Sequence, residues 1–166
     1  MMSKLVTLVQ ATALRDRYRE AGKTVVWTNG CFDLLHPGHI ASLASAKALG
    51  DVLVVGLNSD QSVRENKGPT RPVLNEWERA ALLSALTVVD HVIVFDEKTP
   101  ETILRQLKPD IHTKGDEYAP PNGRPVPEAS TVLAYGGRIE YLPLVPGISS
   151  TELIRRIAAA HAAGAV

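Results

Sequence analysis

The stretch TVVWTNGCFDLLHPGH, residues 24–39, joins an apolar run to a turn and then to the start of a helix. The run at 24–28 is rich in β-branched and aromatic residues and predicts a strand. Pro37 predicts the first position of a helix, because the N–H that proline lacks would have no partner there. This part of the chain therefore predicts a strand followed closely by a helix.

The same alternation continues toward the C-terminus. Apolar runs predict four more strands, and apolar residues at i, i+3 and i+4 predict helices between them. The strands are expected at 51–58, 91–95, 110–113 and 138–142, and the helices at 40–49, 76–86 and 100–107. Runs such as VLVV are apolar on both faces, which is typical of central strands covered on each side. The pattern predicts an α/β fold: a doubly wound, mainly parallel five-stranded sheet with helices on both faces.

The length of 166 residues predicts a single domain over 1–166. An added N-terminal helix is expected within 1–22, and the core of the domain over 23–157. A further helix is expected at 151–160. The Pro- and Gly-rich stretch 119–127 is too short for a linker, so it is expected to be a loop within the domain.

The composition excludes several classes of protein. The chain balances 18 Lys and Arg against 18 Asp and Glu, so it lacks the positive field that non-specific nucleic-acid or anionic-membrane binding requires. The single Cys31 cannot form an internal disulfide and is expected to pack rather than to act as a nucleophile. No apolar run approaches the roughly 20 residues of a membrane span, and residues 1–10 lack the core of a signal peptide. A cytoplasmic protein with neither nucleic acid nor membrane as a partner is expected.

Two histidines lie at the turn after the first predicted strand. Ligands of open α/β sheets bind beyond the carboxyl ends of the strands, yet this turn contains neither G-x-G-x-x-G nor a P-loop. His36 and His39 are three residues apart, so both rings are expected on one side of the first helical turn. Gly38 leaves the free amides at the positive end of the helix open to an anion. The pattern predicts a phosphate site; the alternative is that one histidine caps the helix and the other packs.

A second helix begins within GISSTE, residues 147–152. Ser149 and Glu152 fit a capping box, which satisfies two amides without a ligand. Ser150 and Thr151 add hydroxyls that the box does not use. A parallel sheet can bring both helix starts to one edge, where they would hold different phosphates of a polyphosphate. Capping alone remains the alternative.

Cations follow the second predicted strand. Arg64 is expected on a solvated loop. Lys67 and Arg71, each followed by Gly or Pro, are better candidates for phosphate contacts, because lysine suits a point-charge contact and arginine can clamp two oxygens. Arg79, on the predicted helix 76–86, is left open between a surface residue and a substrate contact.

Lys114, Gly115 and Asp116 follow the fourth predicted strand. At a strand's carboxyl end they can hold a base or a ribose, although an ordinary surface turn explains the same residues. His91 and His112 lie within predicted strands and are expected to be half-buried structural residues.

The segments TNGCFDLLHPGH and GISSTELIRRI resemble the H-x-G-H and I-S-S/T-T signatures of the cytidylyltransferase-like nucleotidyltransferases. Within that family the chain is more similar to the heptose 1-phosphate adenylyltransferases, with which KGPTRPV, LKPDIHTKGDEY and GGRIEYLPL also agree. The resemblance covers about 25–157, and the ordered set is more specific than H-x-G-H alone. The glycerol-phosphate branch usually carries an Arg in R-T-E-G-I-S-T-T, whereas residues 144–151 here read LVPGISST without it.

This resemblance implies a Rossmann-like nucleotidyltransferase fold and transfer of AMP from ATP to D-glycero-β-D-manno-heptose 1-phosphate. The products would be pyrophosphate and ADP-heptose, for lipopolysaccharide or other heptose-containing glycans. The resemblance also implies Mg²⁺ or another divalent cation and a homodimer. Bifunctional members carry a kinase domain for which 166 residues leave no room, so a separate kinase is expected. Open alternatives are cytidylyl transfer to glycerol 3-phosphate or another polyol or sugar phosphate, and a nucleotide-binding module without turnover.

The motif match also implies roles for individual residues and names no protein ligand for a metal. The implied catalytic residues are His36, His39 and Lys67. The implied nucleotide-binding residues are Thr28, Asn29, Gly30, Cys31, Phe32, Gly38, Lys114, Gly115, Asp116, Ser149, Ser150 and Thr151. The implied substrate-binding residues are Asp33, Asn58, Arg71 and Arg79.

Overall fold

The computed structural model describes residues 4–164. The predicted domain 1–166 therefore includes five terminal residues, 1–3 and 165–166, that lie outside the described residues. The five strands are β1 Val25–Gly30, β2 Val52–Asn58, β3 His91–Phe95, β4 Ile111–Gly115 and β5 Arg138–Leu142. The helices are α1 Leu8–Glu20, α2 Pro37–Lys47, α3 Asp60–Lys67, α4 Glu76–Ala85, α5 Glu101–Leu107, α6 Ala129–Ala134 and α7 Ser150–Ala162, with a short 3-10 helix at Asp116–Tyr118.

The five strands form one parallel sheet in the order β3-β2-β1-β4-β5. β1 lies at the centre, where Val26 is in register with Leu53 of β2 and Ile111 of β4. Strand order reverses at β1, because the chain first builds outward to β3 and then returns to add β4 on the other side. The predicted doubly wound α/β fold is confirmed. A crevice is expected beyond the carboxyl ends of β1 and β4.

Helices cover both faces of the sheet. Leu43 of α2 and Leu83 of α4 pack into the core on one face. Ala11 of α1, Leu104 of α5 and Val132 of α6 pack into the core on the other face. All seven residues of β2 are buried, which explains why its sequence is apolar on both faces.

Two short helices were not predicted. α3 occupies part of the stretch expected to be a loop, because Ser59 caps it by accepting a hydrogen bond from the Ser62 N–H at 3.2 Å. Its sequence DQSVRENK is mostly polar and buries only Ser62 and Val63, so it lacks an apolar stripe. α6 has six residues, too few for a periodic pattern.

The chain ends also differ in detail from the predictions. The N-terminal helix begins at Leu8, because Thr7 and Gln10 form a capping box. Before it, Leu5 forms an isolated parallel bridge with Val92 at the edge of the sheet. Within residues 4–164, none of the helices has the length and apolar character needed to cross a bilayer.

Gly56 makes room for Trp27 in the centre of the sheet. Trp27 is fully buried, and a Cβ at Gly56 would overlap its ring. We expect Gly56→Ala to lower the free energy of unfolding by about 1–3 kcal/mol, because the overpacked ring must move. Urea unfolding measures this loss. The same substitution in a Trp27→Leu background should cost less, and an equal cost in both backgrounds would contradict the overlap.

Candidate active site

A cleft of ≈ 580 Å³ lies at the carboxyl ends of β1 and β4. It gathers residues from the loop after β1, the first turn of α2, the end of α3, the end of β4 and the first turn of α7. The predicted site residues that line it are Thr28, Asn29, Gly30, Cys31, Phe32, Asp33, His36, Gly38, His39, Lys67, Arg71, Lys114, Gly115, Ser149, Ser150 and Thr151. Asn58, Arg79 and Asp116 do not line it. The two helix starts therefore meet at one edge, as the parallel sheet predicted.

His36 and His39 stack on one side of the first turn of α2. Their ring centroids are 3.7 Å apart and the ring planes differ by 20°. His36 is the N-cap residue, and its Nδ1 accepts a hydrogen bond from the backbone N–H of His39 at 3.3 Å. A Cβ at Gly38 would lie 3.0 Å from the His36 ring, a tight contact, so glycine gives the stacked rings room and leaves its own N–H accessible.

Both imidazoles are neutral near pH 7. Burial lowers the pKa of His36, and burial together with the neighbouring His36 lowers the pKa of His39 to about 4. Because Nδ1 of His36 accepts a hydrogen bond, its proton is on Nε2, which is left as a donor. Nδ1 of His39 is buried and has no hydrogen-bond partner among residues 4–164. The pair thus offers neutral ring nitrogens, rather than a cation, at the start of a helix.

The lowered pKa of His39 predicts loss of stability in acid. Unfolded His39 would titrate near 6.5 and the folded residue near about 4, so the unfolded state binds more protons between these values. His39 therefore does not lower the free energy of unfolding above pH 6.5, but it lowers this free energy progressively as the pH drops below that value. We expect His39 to contribute about 1–2 kcal/mol of this fall between pH 7 and pH 5.

Urea unfolding of the wild type and His39→Gln at pH 7 and pH 5 measures this contribution. The variant should lose less stability between the two conditions than the wild type does. The remaining fall reports the other histidines with lowered pKa values, His36, His91 and His112. An identical fall in both proteins would show that His39 titrates normally when folded.

Asp33 joins three segments around the cleft. Its carboxylate is 1% exposed and accepts hydrogen bonds from Nε of Arg71 at 2.9 Å and from the N–H groups of Val73 and Leu74 at 2.9 and 3.1 Å. Its carbonyl accepts a hydrogen bond from the Ser150 hydroxyl at 2.5 Å. Burial alone would raise the pKa of Asp33, but these donors outweigh it and lower that pKa. Asp33 therefore orders the loops around the cleft that it lines, and its role in binding substrate stays a prediction.

The loop that contains Asp33 is held in an unusual conformation. Phe32 and Leu34 have φ values of 46° and 51°, in the left-handed region that non-glycine residues rarely adopt. Such residues cost about 1–2 kcal/mol each and are typical of functional sites. The contacts of Asp33 hold this loop, and the Phe32 ring lies 5.4 Å from that of His39.

Arg79 is a structural residue. Its side chain is fully buried and donates hydrogen bonds to three backbone carbonyls, of Cys31, Asn58 and Leu74, and to the carboxylate of Asp60. No part of the guanidinium is exposed to a substrate, which corrects the expectation of a substrate contact.

Asn58 and Asp116 also lie outside the cleft. Asn58 is 5% exposed, and its amide donates to Oγ of Ser62 at 2.9 Å. Its side chain therefore secures α3 and is not available to a substrate. Asp116 is exposed at the first residue of the 3-10 helix.

The cationic side chains that line the cleft differ in whether they form ion pairs within the protein. Lys67, the last residue of α3, is exposed and has no ion-pair partner in the part of the chain that the structure describes. Arg71 donates from Nε to Asp33, and its terminal nitrogens have no hydrogen-bond partner among residues 4–164. Lys114 is paired with Glu128. Cys31 lies among these groups, and burial raises its pKa, so its thiol stays neutral.

The first turn of α7 differs from the predicted capping box. Ser149 does cap the helix, accepting a hydrogen bond from the Glu152 N–H at 3.1 Å. The Glu152 carboxylate does not return to Ser149 but pairs with Arg155 and Arg156 at 2.8 and 3.0 Å. Thr151 is exposed at the edge of the cleft.

Glu128 is the main residue near the site that the sequence analysis missed. It lies just before α6, is 1% exposed, and pairs with His112 and Lys114 of β4. His112 is fully buried, whereas half-burial was expected. The spacing of His112 and Lys114 on one face of a strand was the available signal, but it does not indicate which carboxylate they meet.

Comparison with known proteins shows the family to which this chain belongs. A family model described as cytidylyltransferase-like matches residues 27–156. The bifunctional protein HldE of Syntrophotalea carbinolica is 53% identical over 139 residues, 84% of this chain and 28% of that protein. HldE of Geobacter metallireducens is 45% identical over 96% of this chain and 32% of that protein. The chain thus spans about a third of the length of these curated relatives.

Two solved structures share the fold. The lipopolysaccharide core biosynthesis protein from Thermoplasma volcanium is 35% identical, with a TM-score of 0.59, and the match covers 75% of this chain and 98% of that one. Pantoate-beta-alanine ligase from Francisella tularensis is 15% identical, with a TM-score of 0.57, over 90% of this chain and 75% of that one. The second likeness shows the fold alone.

Proposed function

Because the chain belongs to the cytidylyltransferase-like family, we propose that it transfers AMP from ATP to D-glycero-β-D-manno-heptose 1-phosphate, forming ADP-heptose and pyrophosphate. The similarity to the HldE proteins supports the heptose substrate, as does the similarity to a lipopolysaccharide core biosynthesis protein. ADP-heptose would serve lipopolysaccharide or other heptose-containing glycans.

One observation carries this proposal: the stacked pair of His36 and His39 at the start of α2, facing the cleft. Two ring nitrogens and the backbone N–H of Gly38 converge where the sheet reverses its strand order. Such an arrangement suits a phosphate whose charge increases during a reaction. Simple binding of a nucleotide does not require two donors beside one phosphate.

The chemistry needs phosphate contacts more than a general base. In the proposed reaction, a phosphate oxygen of the sugar attacks the α-phosphorus of ATP in line, and the bond to pyrophosphate breaks. The second pKa of a phosphate monoester is about 6, so this nucleophile is already ionised at neutral pH. Catalysis then rests on positioning and on stabilising the charge of the α-phosphoryl group and of the departing pyrophosphate.

Each contact in the cleft has a proposed partner. His36 and His39 donate to the transition-state phosphates, and the backbone N–H of Gly38 assists them. Lys67 meets the triphosphate, and the first turn of α7, with Ser150 and Thr151, meets its distal oxygens. The terminal nitrogens of Arg71 hold the sugar phosphate. The remaining nucleotide contacts come from residues 28–32 and 114–115.

A divalent cation would arrive with ATP. Residues 4–164 contain no group of three His, Cys, Asp or Glu side chains placed to hold a metal. Mg²⁺ commonly keeps several waters and binds substrate phosphates with few protein ligands, so the site is compatible with such an ion. Bound there, it would neutralise part of the phosphate charge.

A matrix of substrates tests the proposal. Pyrophosphate release is measured with ATP or CTP against heptose 1-phosphate or glycerol 3-phosphate. We expect release with ATP and heptose 1-phosphate to exceed every other combination. Preference for CTP and glycerol 3-phosphate would identify the glycerol-phosphate branch. ATP binding without release in any combination would identify a nucleotide-binding module.

Two further proposals concern the protein's surroundings. We propose a cytoplasmic location, where ATP is available, and a homodimer, in line with the family resemblance. Sedimentation velocity at several protein concentrations tests the second. A single species of 17.9 kDa at all concentrations would contradict the dimer.

A further inference from the structure

Glu128 is the centre of a buried cluster beside β4. Its Oε1 accepts hydrogen bonds from Nε2 of His112 at 2.8 Å and from Nζ of Lys114 at 2.5 Å. His112 and Lys114 are two residues apart on the strand, so their side chains leave the same face. Of these three residues only Lys114 lines the cleft. The cluster can therefore influence a ligand only through that lysine.

The charges of the cluster cancel. Burial would raise the pKa of Glu128, but His112 and Lys114 outweigh it and lower that pKa to about 2. Burial lowers the pKa of His112, so its imidazole stays neutral. One carboxylate thus faces one ammonium, and the ammonium also lies 5.2 Å from the centre of the Tyr118 ring. Lys114 is held in a fixed position with its charge compensated.

Stability alone does not explain this cluster. A buried carboxylate pays a large desolvation penalty, and apolar replacements of buried ion pairs are often neutral or stabilising. Here, moreover, Oε2 of Glu128 and Nδ1 of His112 are buried without a hydrogen-bond partner in the described chain. What the carboxylate does achieve is to fix a flexible lysine at the wall of the cleft.

We infer that Glu128 is a positioning residue, holding Lys114 as a hydrogen-bond donor to the nucleoside part of ATP and not to its triphosphate. This inference rests on the proposed function, in which the cleft binds ATP. An ammonium beside a carboxylate attracts a phosphate weakly, because the two charges cancel at longer range. Two of its three N–H groups remain for uncharged acceptors on the ribose or base. The triphosphate is left to Lys67, which has no ion-pair partner among residues 4–164, and to the two helix starts.

Calorimetric titration with two probes tests this division. ATP carries the nucleoside, and inorganic triphosphate lacks it. We expect Glu128→Gln and Lys114→Met each to weaken ATP binding about tenfold while changing triphosphate binding by less than about twofold. The double variant should lose no more ATP affinity than either single variant, because Glu128 acts through Lys114.

Two comparisons separate positioning from a structural role. Each single variant leaves one charge of the Glu128–Lys114 pair without its partner, whereas the double variant removes both charges. The double variant can therefore be tested even if a single variant fails to fold. Asp90→Asn is the matched control, since Asp90 pairs with Lys47 at 2.6 Å and neither residue lines the cleft. The control should leave both affinities unchanged. A general loss of structure would lower both affinities together and would not change their ratio.

Two results would overturn the inference. Unchanged ATP binding in folded Glu128→Gln would show that the carboxylate does not position the lysine. Equal losses for ATP and triphosphate in Lys114→Met would assign that lysine to the phosphates. Both affinities are measured without turnover. If the protein binds ATP but transfers no AMP, the proposed function is wrong, whereas the inference about Glu128 and Lys114 is unaffected.

Discussion

Replacing His39 by alanine is expected to lower turnover about a hundredfold to a thousandfold with ATP and heptose 1-phosphate. The ring belongs to the stacked pair at the start of α2, where the charge of the transition state would develop. Loss of one well-placed donor in such a site costs about 3–4 kcal/mol of transition-state stabilisation. The decrease should appear in kcat more than in the KM for ATP, since the donor acts mainly in the transition state.

The fold should survive this substitution. Nδ1 of His39 has no hydrogen-bond partner among residues 4–164, so the alanine leaves no protein donor or acceptor unpaired at that atom. His91→Gln is the matched control: His91 is half-buried, bonded to the Tyr18 hydroxyl at 2.8 Å and outside the cleft. Pyrophosphate release should be normal in that variant. Near-normal release in folded His39→Ala would remove the histidine pair from the mechanism.

The architecture could be predicted because its strands are strongly apolar and short connections separate them from helices. The location of the cleft followed from topology, since parallel strands bring their carboxyl ends to one edge. The sequence indicated His36, Gly38 and His39 as a group because they are close in the chain, and helix geometry fixes their relative positions. The same holds for Ser149 and Ser150 at the start of α7.

The supporting residues could not be predicted in this way. The acceptors of Arg79 are mainly backbone carbonyls, those of Cys31 and Asn58 in distant segments, and a carbonyl has no signature in the sequence. Asp33 likewise meets two backbone N–H groups some 40 residues away in the chain. Glu128 meets Lys114 across an irregular loop, for which no spacing rule exists. A sequence identifies charged residues at a site but does not show which of them the protein itself has already paired.

The largest effect on stability is expected from Arg79→Met, because the arginine joins four segments. Its Nη1 donates to the carbonyls of Cys31 at 2.6 Å and Asn58 at 2.8 Å, and Nη2 donates to Asp60 at 2.7 Å. Nε donates to the carbonyl of Leu74 at 3.0 Å. Methionine fills much of the volume but leaves these acceptors without donors. We expect the free energy of unfolding to fall by about 3–5 kcal/mol, measured by urea unfolding.

Two further variants show whether this loss comes from the hydrogen bonds. Arg105→Met removes an arginine whose side chain is 67% exposed and paired with Glu101, and it should cost less than about 1 kcal/mol. Arg79→Lys keeps the charge but cannot reach all the acceptors with one nitrogen, so its loss should fall between the other two. If Arg79→Met is no less stable than Arg105→Met, the loops around the cleft are held by something other than this guanidinium. If Arg79→Lys matches the wild type, the charge rather than the planar set of donors is what joins the segments.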